Sequence, residues 1–353
     1  MLNTKTLTKL LVITVFCAIP VVLLLSKAGG SAIKSHNELF LPNLIKDPDQ
    51  ISRVIIQDHA QTLTLQRNNN SWQIMEKNDF PVLQDKVEEL LFAMAELRIV
   101  EPKTANPQLY KQLDVDDFYD DASKAILITV QDQQNSNLAK VIIGKREGLA
   151  TGEDYIEHIF IRKADDSQTW LVQGLLPLSN DFKDWVEQPL LGVLESDQVK
   201  RLVLRKANGD KVIIAKLAPE QEDFVLETMQ ARPGMTLDVD SVNTLPFEVA
   251  QLEFEDVIPA VGQSFDWSNS VVADVESFPG INVALSVLSQ DNAVFARINA
   301  SAAEDAPQAI KDQVASYNQS KAPWVYRLPP DFYKAITVSN PDFLKVAELT
   351  TTE

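Results

Sequence analysis

RVIIQDHAQTLTLQRNNNSWQI, residues 53–74, is the stretch on which the fold turns. Its apolar residues gather at 53–56, 62–65 and 72–74, a polar turn with Asp58 separates the first two, and Asn68-Asn-Asn-Ser71 marks the second turn. Runs this short, each bounded by turn residues, predict a three-stranded antiparallel meander. Beyond it the period lengthens. Val87, Leu90, Leu91, Met94 and Leu97 form one apolar stripe, which predicts a surface helix.

The same programme restarts near Ser196. Strand-like runs at 201–204, 211–214 and 224–226 surround the turn at Asn208 and Gly209. Asp240, Val242, Leu245, Val249, Ala250 and Leu252 then match Asp85, Val87, Leu90, Met94, Ala95 and Leu97 at a constant offset of 155 positions. Pro246 removes an amide donor from the second helix, so a late start or a kink is expected there. A further block also recurs: 125–130, 139–143, 155–162 and 170–172 are answered by 271–275, 281–288, 293–298 and 324–326. Trp170 and Trp324 stand 154 positions apart. The order of elements, more than any one pair, predicts two related α+β units of mostly antiparallel sheet, 50–196 and 197–353.

Charge and hydropathy divide the chain differently. Residues 10–26, LLVITVFCAIPVVLLLS, contain no charged side chain, and Lys5 and Lys9 precede them. At about 1.5 Å per residue such a run is just long enough for a transmembrane helix with snorkelling help from Lys9. It is expected to act as a single-pass anchor, with 1–9 as a cytoplasmic leader, 27–49 as a spacer, and the remainder extracytoplasmic in a bacterial inner membrane. A cleaved signal peptide with small residues at Ser26 and Ala28 is the alternative. No Asp or Glu precedes Glu38; past the four early lysines, 28 basic residues face 50 acidic ones, a net charge of about −22. A surface that acidic disfavours nucleic acid as a partner, since phosphate contacts need clustered Lys and Arg. The single cysteine, Cys17, lies in the apolar run, which leaves no internal disulfide and no zinc-finger site.

Several residues in sequence order carry a resemblance. Trp72-Gln-Ile74, Asp79-Phe-Pro81, Ala95-Glu-Leu97, Glu101-Pro-Lys-Thr104, Tyr110-Lys-Gln-Leu113, Ile143-Gly-Lys145, Tyr155 and Trp170-Leu-Val172 follow one another. This order resembles a bacterial domain-of-unknown-function family numbered four-three-four-zero, closely over residues 50–200 and more loosely over 200–350. The resemblance implies an anchored extracytoplasmic accessory protein, of the kind linked to gliding-motility-type ABC transporters. It supplies no catalytic residues.

Candidate chemistry is sparse. Gly144-Lys145 lacks the earlier glycine and the following Ser or Thr of a phosphate loop, since Ala139 and Arg146 stand there; a strand-ending turn is expected. Asp114, Asp116, Asp117, Asp120 and Asp121 lack EF-hand spacing and read as solvated acids and caps rather than a calcium site. His36 falls in the spacer, and His59 and His158 in expected strands, without a metal-ligand pattern. Gly-x-Ser-x-Gly does not occur. Trp72, Trp170, Trp185, Trp267 and Trp324 are expected to anchor the core. The chain is therefore expected to be a non-enzymatic accessory or scaffold protein of a transporter assembly. No catalytic, cofactor or metal residue is assigned, and its partners are the membrane and transporter subunits. The alternative is an envelope enzyme or glycan-binding protein with an acidic cleft between the two units.

Overall fold

The computed structural model describes residues 38–69, 71–117, 122–151, 154–229 and 232–347. The expected leader and anchor lie outside the described residues, as do Cys17, His36, Asp120 and Asp121. Among the described residues, no helix is long and apolar enough to cross a membrane. The chain divides into two compact units, Met1–Thr62 with Glu89–Leu178, and Leu63–Glu88 with Ser179–Glu353.

The strands of the first half are β1 (Ile51–Gln57), β2 (Thr62–Asn68), β3 (Ser71–Ile74), β4 (Phe80–Pro81), β5 (Arg98–Pro102), β6 (Ile126–Asp132), β7 (Asn137–Thr151), β8 (Asp154–Lys163) and β9 (Thr169–Gln173). Those of the second are β10 (Val199–Arg205), β11 (Lys211–Ala215), β12 (Val225–Leu226), β13 (Met235–Leu237), β14 (Asp256–Pro259), β15 (Val271–Ser277), β16 (Ile281–Gln290), β17 (Ala293–Ala302), β18 (Trp324–Leu328) and β19 (Leu344–Val346). Among the described residues four α-helices accompany them: α1 (Gln84–Glu96), α2 (Val239–Ala250), α3 (Gln308–Lys321) and α4 (Pro330–Ile336). The class is α+β, with antiparallel sheets and few helices.

In the first unit β1-β6-β7-β8-β9-β5 lie side by side, each neighbouring pair antiparallel. Period-two alternation buries Val54 and Ile56 of β1 on one face. β6 is different: Leu127, Ile128, Thr129 and Val130 are all buried, so both faces of the sheet are covered there. The outer strand β5 gains partners from the chain start. Ile99 donates to the Glu38 carbonyl at 2.9 Å, and Phe40 donates to the Leu97 carbonyl at 2.8 Å. Along α1, Val87, Leu90 and Met94 are fully buried, as is Leu97 just past its end, as the stripe predicted. Burying each such side chain contributes about 1.5–3 kcal/mol.

In the second unit the order is β12-β11-β10-β15-β16-β17-β18-β14, again antiparallel throughout. β3 pairs with β2 and β4 with β3, neither with this sheet, yet both fall in the second unit, and Phe80 explains why. Its ring lies 4.9 Å from Trp324 and 5.9 Å from Phe254, which in turn lies 5.0 Å from Tyr326, all edge-to-face. Lys77 covers this core, with its ammonium 4.4 Å above the Phe182 ring and 2.7 Å from the Asp256 carboxylate. α3 contributes Val314, Tyr317 and Lys321 to the interior. Lys321 is only 3% exposed, and its ammonium meets the Glu187 carboxylate at 3.0 Å. Tyr317 donates to the Leu190 carbonyl at 2.9 Å and Tyr326 to the Lys321 carbonyl at 3.0 Å. Burial pushes both phenols far above their ordinary range.

The order β1-β6-β7-β8-β9-β5 recurs as β10-β15-β16-β17-β18-β14. Details recur with it. Each opening strand follows a single 3-10 turn, Pro48–Gln50 or Ser196–Gln198, and carries a register irregularity at its start, at Ile51/Arg53 or Val199/Arg201. Each outer strand ends in a proline opposite a tryptophan, Pro102 facing Trp170 and Pro259 facing Trp324. α2 begins at Val239 and continues through Pro246 to Ala250, so the expected late start does not occur.

Candidate functional site

The residues singled out in the sequence scatter into structural roles. Gly144 and Lys145 do not end a strand. They sit inside β7, where the pairing with β8 shifts between Ile143 and Arg146. A side chain at 144 would collide with the Leu113 carbonyl and Val115, and the Lys145 amide donates to that carbonyl at 2.9 Å. The glycine is there for close backbone approach. Asp117 is a largely solvated acid, as expected, and also pairs with Arg162 at 2.8 Å. His59 lies in the turn after β1 rather than in a strand, and His158 lies in β8 opposite Glu147. Among the described residues no group of three or more His, Cys, Asp or Glu could hold a metal ion. Trp72 and Trp185 are core residues, with the Trp185 indole donating to the Ser179 carbonyl at 3.1 Å. Trp267 is only half-buried and stacks on Arg297 instead.

Arg297 leads to the candidate site, which is clearest when the matching faces of the two sheets are compared. In the first unit, the segment between β5 and β6 lays Tyr110 and Val115 over Leu127, Ile142, Phe160 and Leu171 as a closed apolar cluster. Arg162 clips that segment down. It donates from Nε to the Val115 carbonyl at 3.1 Å, from Nη1 to the Asp166 carbonyl at 3.2 Å, and from Nη2 to Asp117 at 2.8 Å. The Tyr110 ring lies 4.5 Å from its guanidinium carbon.

Register identifies the corresponding places in the second unit. Two residues after the paired tryptophans, Val172 faces Ile159 and Tyr326 faces Ala296, so Phe160 and Arg297 hold matching positions. Ile142 faces both Leu127 and Arg162, whereas Ala284 faces Asp274 and Asn299. Leu127, Ile142 and Phe160 are thus replaced by Asp274, Ala284 and Arg297. The segment between β14 and β15 still lays aromatic rings on the sheet. Phe265 lies 5.5 Å from Trp267 and 4.8 Å from Phe295, and the Arg297 guanidinium carbon lies 4.8 Å from the Trp267 ring. With smaller and polar residues beneath, it leaves a cavity of about 500 Å³, lined by Gln263, Phe265, Trp267, Ser286, Arg297 and Asn299 among others. That volume suits a small organic molecule.

Charge at this face is managed unevenly. Asp274 carries a raised carboxyl pKa because burial outweighs the pull of Arg205, whose Nη2 lies 2.5 Å away without hydrogen-bond alignment. Asp266, next to Trp267, is already engaged by the Ser268 amide at 3.0 Å and hydroxyl at 2.6 Å, and these bonds hold its carboxyl below the usual range. Among the described residues no carboxylate pairs with Arg297, whose guanidinium lies against the Trp267 ring. Sequence reading passed over this arginine. The signal was there in β17, where Phe295, Arg297, Asn299 and Ser301 alternate with buried Val294, Ala296, Ile298 and Ala300.

Two of three comparisons with known proteins return nothing: no curated protein and no solved structure matches the chain. The third is a family model described as Domain of unknown function (DUF4340), which matches residues 72–267, more than half of the chain. It reaches from the tryptophan of β3, through strands β4 to β9 and both α1 and α2, to the tryptophan of the cleft. The chain belongs to the DUF4340 family.

Proposed function

We propose that this protein is a membrane-anchored, extracytoplasmic accessory module that scaffolds partner proteins and catalyses no reaction. Residues 10–26 serve as a single-pass anchor in a bacterial inner membrane, and the acidic remainder faces outward. The two sheets with their helices are read as two related units arising from one pattern. The resemblance set out from the sequence points to subunits of a gliding-motility-type ABC transporter as the partners.

The observation that carries the scaffold reading is a repeated exposed aromatic. Phe92 on α1 and Phe247 on α2 stand 155 positions apart, at the helix offset, and each is 55% exposed. Leu175, 60% exposed, lines a groove together with Phe92. Large apolar side chains held in solvent at equivalent places on two helices suit protein contacts. The sheet ends suit them less, because Pro102 and Pro259 interrupt the outer strands.

Co-purification of the full chain from its native membrane in mild detergent tests the reading. Transporter subunits are expected to be enriched with the wild type. They should be lost with the Phe92→Asp, Phe247→Asp double variant, whose thermal stability changes by no more than about 0.5 kcal/mol. Equal recovery of those subunits with both proteins sinks the helix-face assignment. A carboxyl-terminal reporter active only in the cytosol sinks the topology.

A further inference from the structure

We infer that the cleft beside Arg297 is a binding site for a small organic carboxylate with a flat apolar body. The inference goes beyond the scaffold reading and does not depend on it, because every residue it uses lies within the second unit.

The chemistry is indicated by the way the first unit closes the same face. There a segment from between two strands places an aromatic ring on an arginine, and its own Asp117 carboxylate completes the guanidinium at 2.8 Å. In the second unit the ring and the arginine are again present, as Trp267 and Arg297, one step along the same face. The carboxylate is the missing component. Asp266 is committed to Ser268, and Asp274 lies against Arg205. In a chain of net charge −18, an exposed guanidinium without an acidic partner among the described residues is an unspent recognition group. Stacking on Trp267 restricts its motion, so less entropy is lost when a carboxylate docks.

Size and lining select among acids. A space of about 500 Å³ holds a molecule of a few rings and is too small for a folded domain. Phe265 offers an apolar surface to the body of the ligand, while Ser286 and Asn299 flank the arginine with hydrogen-bonding groups for the head. Carboxylate recognition by a planar guanidinium is bidentate, and a neutral amide of the same shape cannot reproduce it.

Isothermal calorimetry on the full chain in detergent tests this with benzoate, phenylacetate and indoleacetate, each beside its uncharged amide. At least one acid is expected to bind saturably, about tenfold or more tighter than its amide. Arg297→Gln should abolish that difference, and Arg297→Lys should restore only part of it. Ala284→Ile, which installs the first unit's residue, should block the cleft, while Arg327→Gln on neighbouring β18 should leave binding unchanged. Circular dichroism melts establish that each variant is folded. Failure of all three acids to saturate at millimolar concentration overturns the proposal, as does equal binding by acid and amide. Persistence of the acid preference in folded Arg297→Gln overturns it too. Transporter co-purification is read separately, so loss of one result leaves the other standing.

Discussion

The first sheet and the second share a strand order, yet one finishes its second face as core and the other leaves it half open. In the first, Leu127, Ile142 and Phe160 sit under Tyr110 and Val115. In the second, Asp274, Ala284 and Arg297 hold the matching positions, and Ala284 and Arg297 line the space with Phe265 and Trp267. Backbone pairing fixes the sheet in both, while three side chains decide whether the covering segment seals or roofs a space. The lesson is that topology and cavity are set by different residues, so one can be kept while the other changes.

The largest expected effect lies in the sealed sheet. Ile142→Ala should cost about 3–4 kcal/mol, the usual penalty for emptying a fully buried site, measured by urea unfolding of the full chain. The second sheet already carries alanine at that place and is folded around it. A cost below about 1 kcal/mol would mean the cluster can collapse, and the contrast between the sheets would be weaker than the burial implies. Next comes the clip. Arg162→Ala should cost about 2–3 kcal/mol, because the Val115 and Asp166 carbonyls lose their donor. Asp117 is largely exposed and can return to water, which limits the loss. Arg297→Ala should change stability by less than about 0.5 kcal/mol, so the two arginines separate into structural and recognition roles. Equal effects would break the comparison.

A further effect depends on pH. Arg205→Gln should cost about 1 kcal/mol near neutrality, since Asp274 is left ionised in a half-buried site and both side chains retain some solvent screening. The folded carboxyl already has a raised pKa, so protonation is easier in the fold than in the unfolded chain. The charged form is therefore the costly one. The penalty should be present above the folded pKa and should shrink as the pH falls through it, so that thermal melts of variant and wild type converge in acid. Parallel melts at every pH would show that Asp274 is not what Arg205 compensates.

Much of this architecture could be read from local pattern. The meander strands fall where the short apolar runs put them, and all five stripe residues, four on α1 and Leu97 just past it, are buried. The stripe of α2 was equally visible, although Pro246 argued for a late start that does not occur. β5 and β14 were not visible, because each returns across the sheet to pair with a strand some seventy positions away, and nothing local marks that choice. α3 stayed hidden for a chemical reason. One of its three buried positions is Lys321, neutralised by Glu187, so the apolar stripe is incomplete in sequence. The cleft was hardest to see. Its polar alternation looks like any solvated strand face until Trp267 is found lying on Arg297.

Pro102 and Pro259 each delete one amide from the outermost strand of a sheet. A neighbouring copy attempting to extend either sheet sideways would meet a gap where a hydrogen-bond donor is required, and the growing ladder would stop there. Copies crowded together would then collide repeatedly without zipping into fibres.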